Sequence, residues 1–151
     1  MVIHNSESRP EFLAELRNLF LTEWATVDAF DDHQFEADWF GGNERQSNLP
    51  APLLALESNN LVGGLSFTWF RPDDLTNAKL WINAILVKPA FRGNGIATSL
   101  IKEAIVSASK TDETELFVYT EIPLLYTSVG WQLVSCQDQN HVLKTSLVEQ
   151  T

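Results

Sequence analysis

The stretch "AILVKPAFRGNGIATSLIKEA", residues 84–104, decides how the chain is read. Its first part is an apolar run that closes at Val87 and Pro89. Its last part carries Ile96, Leu100, Ile101 and Ala104, with Ile105 and Ala108 beyond them, at the spacing of one helical face. Between the two lie Arg92, Gly93, Asn94 and Gly95. The pattern predicts a strand, a glycine-bearing turn and a helix from about 95 to 109. Glycine at 93 and 95 lets the backbone curl and lets another group come close. The first turn of a helix has N–H groups without an internal partner, and with the helix dipole they attract phosphate. One such contribution is only ~0.3–1 kcal/mol, so several donors must converge to hold a pyrophosphate. Arg92 and Lys88 add formal positive charge to the turn. The glycines alone leave two readings open, a plain connection or an anion cradle.

Two common phosphate-binding strings do not fit. A dinucleotide turn needs G-x-G-x-x-G, and Thr98 stands where the third glycine belongs. A nucleoside-triphosphate loop needs G-x-x-x-x-G-K-[ST], which does not occur in this chain.

Outward from the turn, the remaining pattern is mixed. "VIH" at the start reads as a short strand. In "SRPE", Ser8 is expected to cap a helix, Pro10 to sit in its first turn and Glu11 to complete a capping box. Phe12, Leu13, Leu16, Leu19, Phe20 and Trp24 follow at helical spacing, and Phe30 to Phe40 suggests a second helix. "PLLALES" and "NLVGGLSFTWF" read as a hairpin around Ser-Asn-Asn, and "AKLWINAILV" as a strand apolar enough to be buried on both faces. After the helix come the strand "ELFVYT", a short helix "PLLYTSVG" stopped by Gly130, and the strands "WQLVSC" and "HVLKTSL". Hairpins combined with one β-α-β crossover make an α+β fold. We expect one domain over residues 1–151: a mixed, mostly antiparallel twisted sheet of about six or seven strands with about four helices.

Composition sets limits. Hydrophobic residues at 44% and charged residues at 20% suit a soluble globular domain. The start lacks a basic, apolar leader pattern, and no run approaches the ~20 residues of a membrane helix, so no membrane partner is expected. Cys136 is the single cysteine, which fits a reducing, cytoplasmic setting. No histidine has ligand spacing with it, so no metal is expected. The net charge of −10 argues against nucleic-acid binding. That charge is unevenly placed: residues 79–110 carry +4, and residues 23–45 carry −6. The acids either keep the surface soluble or face a cationic partner.

"RGNGIA" also fits [Q/R]-x-x-G-x-[G/A] through Arg92, Gly95 and Ala97, after the V-x-P of Val87 and Pro89. This resembles motif A of the GNAT superfamily of N-acetyltransferases. "LYTSVGW", Leu125 to Trp131, resembles that superfamily's motif B, with one helix and one strand between the two motifs. The element order resembles the family's from the first strand to the last.

The resemblance implies a GNAT-like fold with a central β-α-β acyl-CoA-binding unit. It implies acetyl-CoA as acyl donor, with the acetyl group passed directly to an amine. Arg92, Gly93, Asn94, Gly95, Ile96, Ala97 and Thr98 would then cradle the pyrophosphate, and Ile85, Leu86 and Val87 would pair with the pantetheine arm. In the family this strand and the one at 115–120 splay apart. Tyr126 would be the general acid for the departing thiolate; read from residues alone it also suits an aromatic anchor for the short helix. Many members carry a carboxylate four residues ahead of the motif's valine. Here that position is Asn83, which is no base and is expected at most to orient a water. Glu121 is the nearest carboxylate in sequence, either as base or as a complement to the helix dipole at Pro123. The acceptor would approach from the side of the first two helices. There Asp28, Asp31, Asp32 and His33 are candidate substrate-binding residues for a cationic amine. The chain is expected to be a monomer or homodimer. The alternative is a non-catalytic acyl-CoA sensor or interaction module, for which Asn83 leaves room.

Overall fold

A computed structural model describes residues 1–24, 49–70 and 79–147. Seven strands form one sheet: β1 (Val2–Asn5), β2 (Leu53–Glu57), β3 (Asn60–Phe70), β4 (Lys79–Val87), β5 (Glu115–Thr120), β6 (Gln132–Gln137) and β7 (Asn140–Ser146). The described helices are α1 (Leu13–Trp24), α2 (Ile96–Ala108) and α3 (Pro123–Thr127). The strand order is β1-β2-β3-β4-β5-β7-β6. Every neighbouring pair is antiparallel except β4 and β5. Parallel neighbours need a crossover, and α2 supplies it. The α+β reading and the strand count agree with this architecture. The second helix expected at 30–40 lies outside the described residues.

Local chemistry explains the joints. The β2–β3 turn places Ser58 at φ 50° and Asn59 at φ 65°. Two left-handed residues in a row suit the twist of a two-residue hairpin, and asparagine tolerates that region. The capping box expected at Ser8 does not form. Ser8 Oγ donates to Asn5 O at 2.8 Å, and Glu11 pairs with Arg9 Nε at 2.9 Å. The turn after β1 therefore occupies the hydroxyl, and a short 3-10 helix at Pro10–Phe12 precedes α1 without a side-chain cap.

The core has two layers, one on each face of the sheet. Leu100, Ile101, Ala104 and Ala108 of α2 pack with Leu53, Ala55, Val62, Leu65, Phe67, Leu80, Leu116 and Leu143. Leu16 and Phe20 of α1 pack with Leu54, Leu56, Leu61 and Leu86. Alternate strand residues point to opposite faces, so α1 and α2 cover the sheet from opposite sides.

One irregularity governs the centre. Ser66 pairs with Ala84 and Phe67 with Ile82, so Asn83 is an extra residue in β4. A bulge of this kind bends its strand and increases the local twist. On its other side β4 pairs with β5 in parallel register at Trp81 and Phe117. Those two rings stack at 5.1 Å. Beyond them no further pair forms between β4 and β5, and the last residues of β4 pair with β3 alone. Gly63 and Gly64 face Val87 and Leu86 there. A Cβ on Gly63 would lie 2.6 Å from Leu86 O. Glycine therefore allows β3 to hold the end of β4 closely. Gly63→Ala should destabilise the protein by about 1–3 kcal/mol in urea unfolding, the usual cost of overpacking. An unchanged unfolding midpoint would show that the two strands can spread there.

Candidate active site

The turn between β4 and α2 is built as an open backbone cradle. Gly93 and Gly95 have φ of 83° and 80°, a region that L side chains resist. A Cβ at either would meet nothing within 4 Å, so conformation and not crowding selects glycine, and the backbone lies bare. Arg92 Nε donates to Val87 O at 2.8 Å, and Asn94 Nδ2 donates to Phe91 O at 3.1 Å. These two bonds fix the turn from its own side chains. Gly95 precedes α2 and offers no side-chain cap. The first bond back along the helix runs from Ser99 N to Gly95 O at 3.0 Å. The N–H groups of Ile96, Ala97 and Thr98 stand ahead of that bond and have no partner within the helix. Lys88, expected to add charge here, does not point its charge at the turn. Its Nζ lies 3.3 Å from Glu15 Oε2, which ties the end of β4 to α1.

A cleft of about 600 Å³ opens where β4 has left β5. Ile85, Leu86, Val87, Arg92, Gly93, Gly95, Ile96, Ala97 and Thr98 all line it. Asn94 does not line it; its amide braces the turn instead. The cleft is completed by Phe91, by Ile122 and Leu125 at α3, and by Glu23 in the last turn of α1.

The other expected residues are spread more widely. Tyr126 follows Leu125 in α3 and is 1% exposed. Its ring meets Trp131 edge-on at 5.1 Å. Its carbonyl accepts from the N–H groups of Val129 and Trp131, each at 3.1 Å, and so closes the turn at Gly130. Burial, with no compensating charge, pushes its phenol well above the ordinary value. Asn83 is exposed at the bulge, its Nδ2 3.5 Å from Ser66 Oγ. Glu121 is exposed at the end of β5 and is not part of the cleft lining. Asp28, Asp31, Asp32 and His33 lie outside the described residues.

The profile of the Acetyltransferase (GNAT) family matches residues 13–127. The chain belongs to the GNAT acetyltransferase family. Solved GNAT-like structures share its architecture. A ribosomal-protein-alanine N-acetyltransferase from Brucella melitensis superposes with TM-score 0.72 at 19% identity, covering 97% of this chain and 99% of that one. The yncA protein of Salmonella typhimurium, solved with its cofactor acetyl-CoA, gives 0.72 at 18% identity, covering 100% and 96%. An aminoglycoside 6′-N-acetyltransferase from Enterococcus faecium gives 0.71 at 12% identity, covering 100% and 99%. No curated protein matches the sequence.

Within this GNAT domain, four contributors to the cleft, Phe91, Ile122, Leu125 and Glu23, are not among the expected site residues. Ile122 precedes motif B and Leu125 opens it, but neither carries chemistry that singles it out. Glu23 is one acid in an acidic run, and the chain contact that brings it to the cleft is tertiary. Among the described residues, no group of three or more His, Cys, Asp or Glu converges as a metal site. No described helix is long and apolar enough to cross a membrane.

The turn yields a direct test. Gly95→Ala should cost about 1–2 kcal/mol in urea unfolding, the penalty of a left-handed alanine, while Gly95→Asn should cost less. Equal effects from both would show that the turn relaxes to another conformation. The buried phenol yields another. Below pH ~10 Tyr126 is protonated in both folded and unfolded chains; above it the unfolded chain loses a proton that the folded one keeps. Wild-type stability should therefore fall as pH rises past ~10, and Tyr126→Phe should fall less steeply over the same range.

Proposed function

We propose that the protein is an N-acetyltransferase that moves the acetyl group of acetyl-CoA directly to a primary amine on a cationic acceptor. The observation that carries this reading is the cleft between the parted strands, with a bare helix start at one end. A pyrophosphate fits the backbone N–H groups from Gly93 to Thr98, where Gly93 and Gly95 present no Cβ and the helix dipole favours negative charge. Arg92 sits at that end of the cleft, within the segment of net charge +4. The edge of β4 at Ile85–Val87 has lost β5 as a neighbour, so its outward peptide groups suit an amide-bearing arm laid along it like an added strand. Acetyl-CoA has that shape and charge, and when bound it supplies an activated thioester.

The chain's own residues then divide the work. The turn and strand edge hold the donor. The free amine attacks the acetyl carbonyl carbon and the carbon–sulfur bond breaks. Tyr126, the neighbour in sequence of the lining residue Leu125, gives its phenolic proton to the departing thiolate; a phenol holds that proton at neutral pH. Asn83, at the bulge, orients a water that carries away the amine proton, since its side chain cannot accept one as a base. Glu121 is placed at the end of β5 for the same route to solvent. Asp28, Asp31, Asp32 and His33 belong to the acidic run that supports a cationic acceptor.

The test follows free thiol release from acetyl-CoA across a panel of amines. Tyr126→Phe should lower kcat by about 100-fold or more while leaving coenzyme A affinity intact, as loss of a general acid requires. A variant with unchanged kcat would remove Tyr126 from the chemistry. Asn83 favours one other reading, an acyl-CoA-binding module without turnover. It predicts tight coenzyme A binding and no amine that accelerates thiol release.

A further inference from the structure

The cleft passes from one face of the sheet to the other. Its α2 side is the anion cradle at residues 92–98, and its α1 side ends at Glu23. The packing supports this path. Val87 and Ile96 belong to the α2-side core, whereas Leu86 belongs to the α1-side core with Leu16 and Phe20. Both Val87 and Leu86 line the cleft, so the gap left by β5 connects the two faces. Between the ends the walls are apolar: Ile85, Leu86, Ile122 and Leu125. Glu23 is the one carboxylate that lines the cleft among the described residues. The other nearby acid of α1, Glu15, is engaged by Lys88. No charged partner of Glu23 is present among the described residues.

We infer that Glu23 is a specificity-determining residue that anchors a positive charge of the acceptor at the α1 side of the cleft. This rests on the acetyltransferase reading and names the face by which the acceptor enters. Glu23 is exposed, so its pull on an ammonium is that of a surface carboxylate at the edge of an apolar cleft, modest and screened by salt. The anchored charge is distinct from the reacting amine, which must be neutral to attack. The preferred acceptor is therefore an amine that carries a second positive charge.

The experiment is an NMR titration of the full-length chain with 1,3-diaminopropane at low salt, with and without coenzyme A. Glu23→Gln should weaken diamine binding about fivefold, a cost of ~1 kcal/mol, typical of a partly exposed ion pair. Glu23→Asp should retain most of the affinity, and coenzyme A affinity should not change in either. Glu103→Gln removes the same net charge at a residue of α2 that does not line the cleft, and should leave diamine binding as in wild type. Equal diamine binding by wild type and Glu23→Gln overturns the inference. So does an equal loss in Glu103→Gln, and so does a wild type that fails to bind the diamine. The readout is binding and not turnover. Glu23-dependent binding without thiol release would therefore sink the transferase reading and leave the anchor standing.

Discussion

Two parallel strands that pair at their start and then part leave unpaired peptide groups along the edges that face each other. That is the constraint on which this molecule depends. Trp81 and Phe117 stack where the strands are still in register. Two residues on, Asn83 is inserted as a bulge and β4 bends away. Everything that follows exploits the gap. The edge of β4 becomes a surface for an extended ligand. The start of α2 points its unbonded N–H groups at one end, and α3 takes the place that a continued β5 would have filled. The half-unpaired strand is held by β3, where Gly63 lets the chains approach within a distance that no side chain tolerates.

Much of this was legible in the sequence because its causes are local. Glycines at 93 and 95 report left-handed backbone directly, and the periodicity of Ile96, Leu100, Ile101 and Ala104 reports the helix that follows. The hairpin at Ser58 and Asn59 is local in the same sense. What was hidden depends on partners far along the chain. A bulge is a mismatch between two strands, so Asn83 read as a substituted base position and not as the residue that opens the sheet. Lys88 looked like a contributor to the cradle until Glu15, 73 residues earlier, claimed its charge. Ser8 had the right sequence for a cap, but the preceding turn had already taken its hydroxyl. Glu23 carries no local mark at all.

The charge distribution follows the same division of labour. The net +4 of residues 79–110 coincides with the β-α-β unit, and the acids are gathered elsewhere. A protein of net charge −10 would repel a polyanionic ligand unless the field were reversed locally, and segregation achieves that. Relatives that share the fold at 12–19% identity are named for acceptors as different as a ribosomal-protein alanine and an aminoglycoside. The common architecture thus does not by itself specify the acceptor.

The central claim is that the gap between β4 and β5 receives coenzyme A with its phosphates on the helix start. Backbone amide chemical shifts of labelled protein, recorded as coenzyme A is added, test it residue by residue. The amides of residues 93–98 should shift most, followed by those of Ile85 to Val87, while the amides of β1 and β2 stay in place. Shifts concentrated elsewhere would contradict it, for example at the separate cavity lined by Asn5, Trp69 and Lys110. So would saturation by coenzyme A without movement of the 93–98 amides.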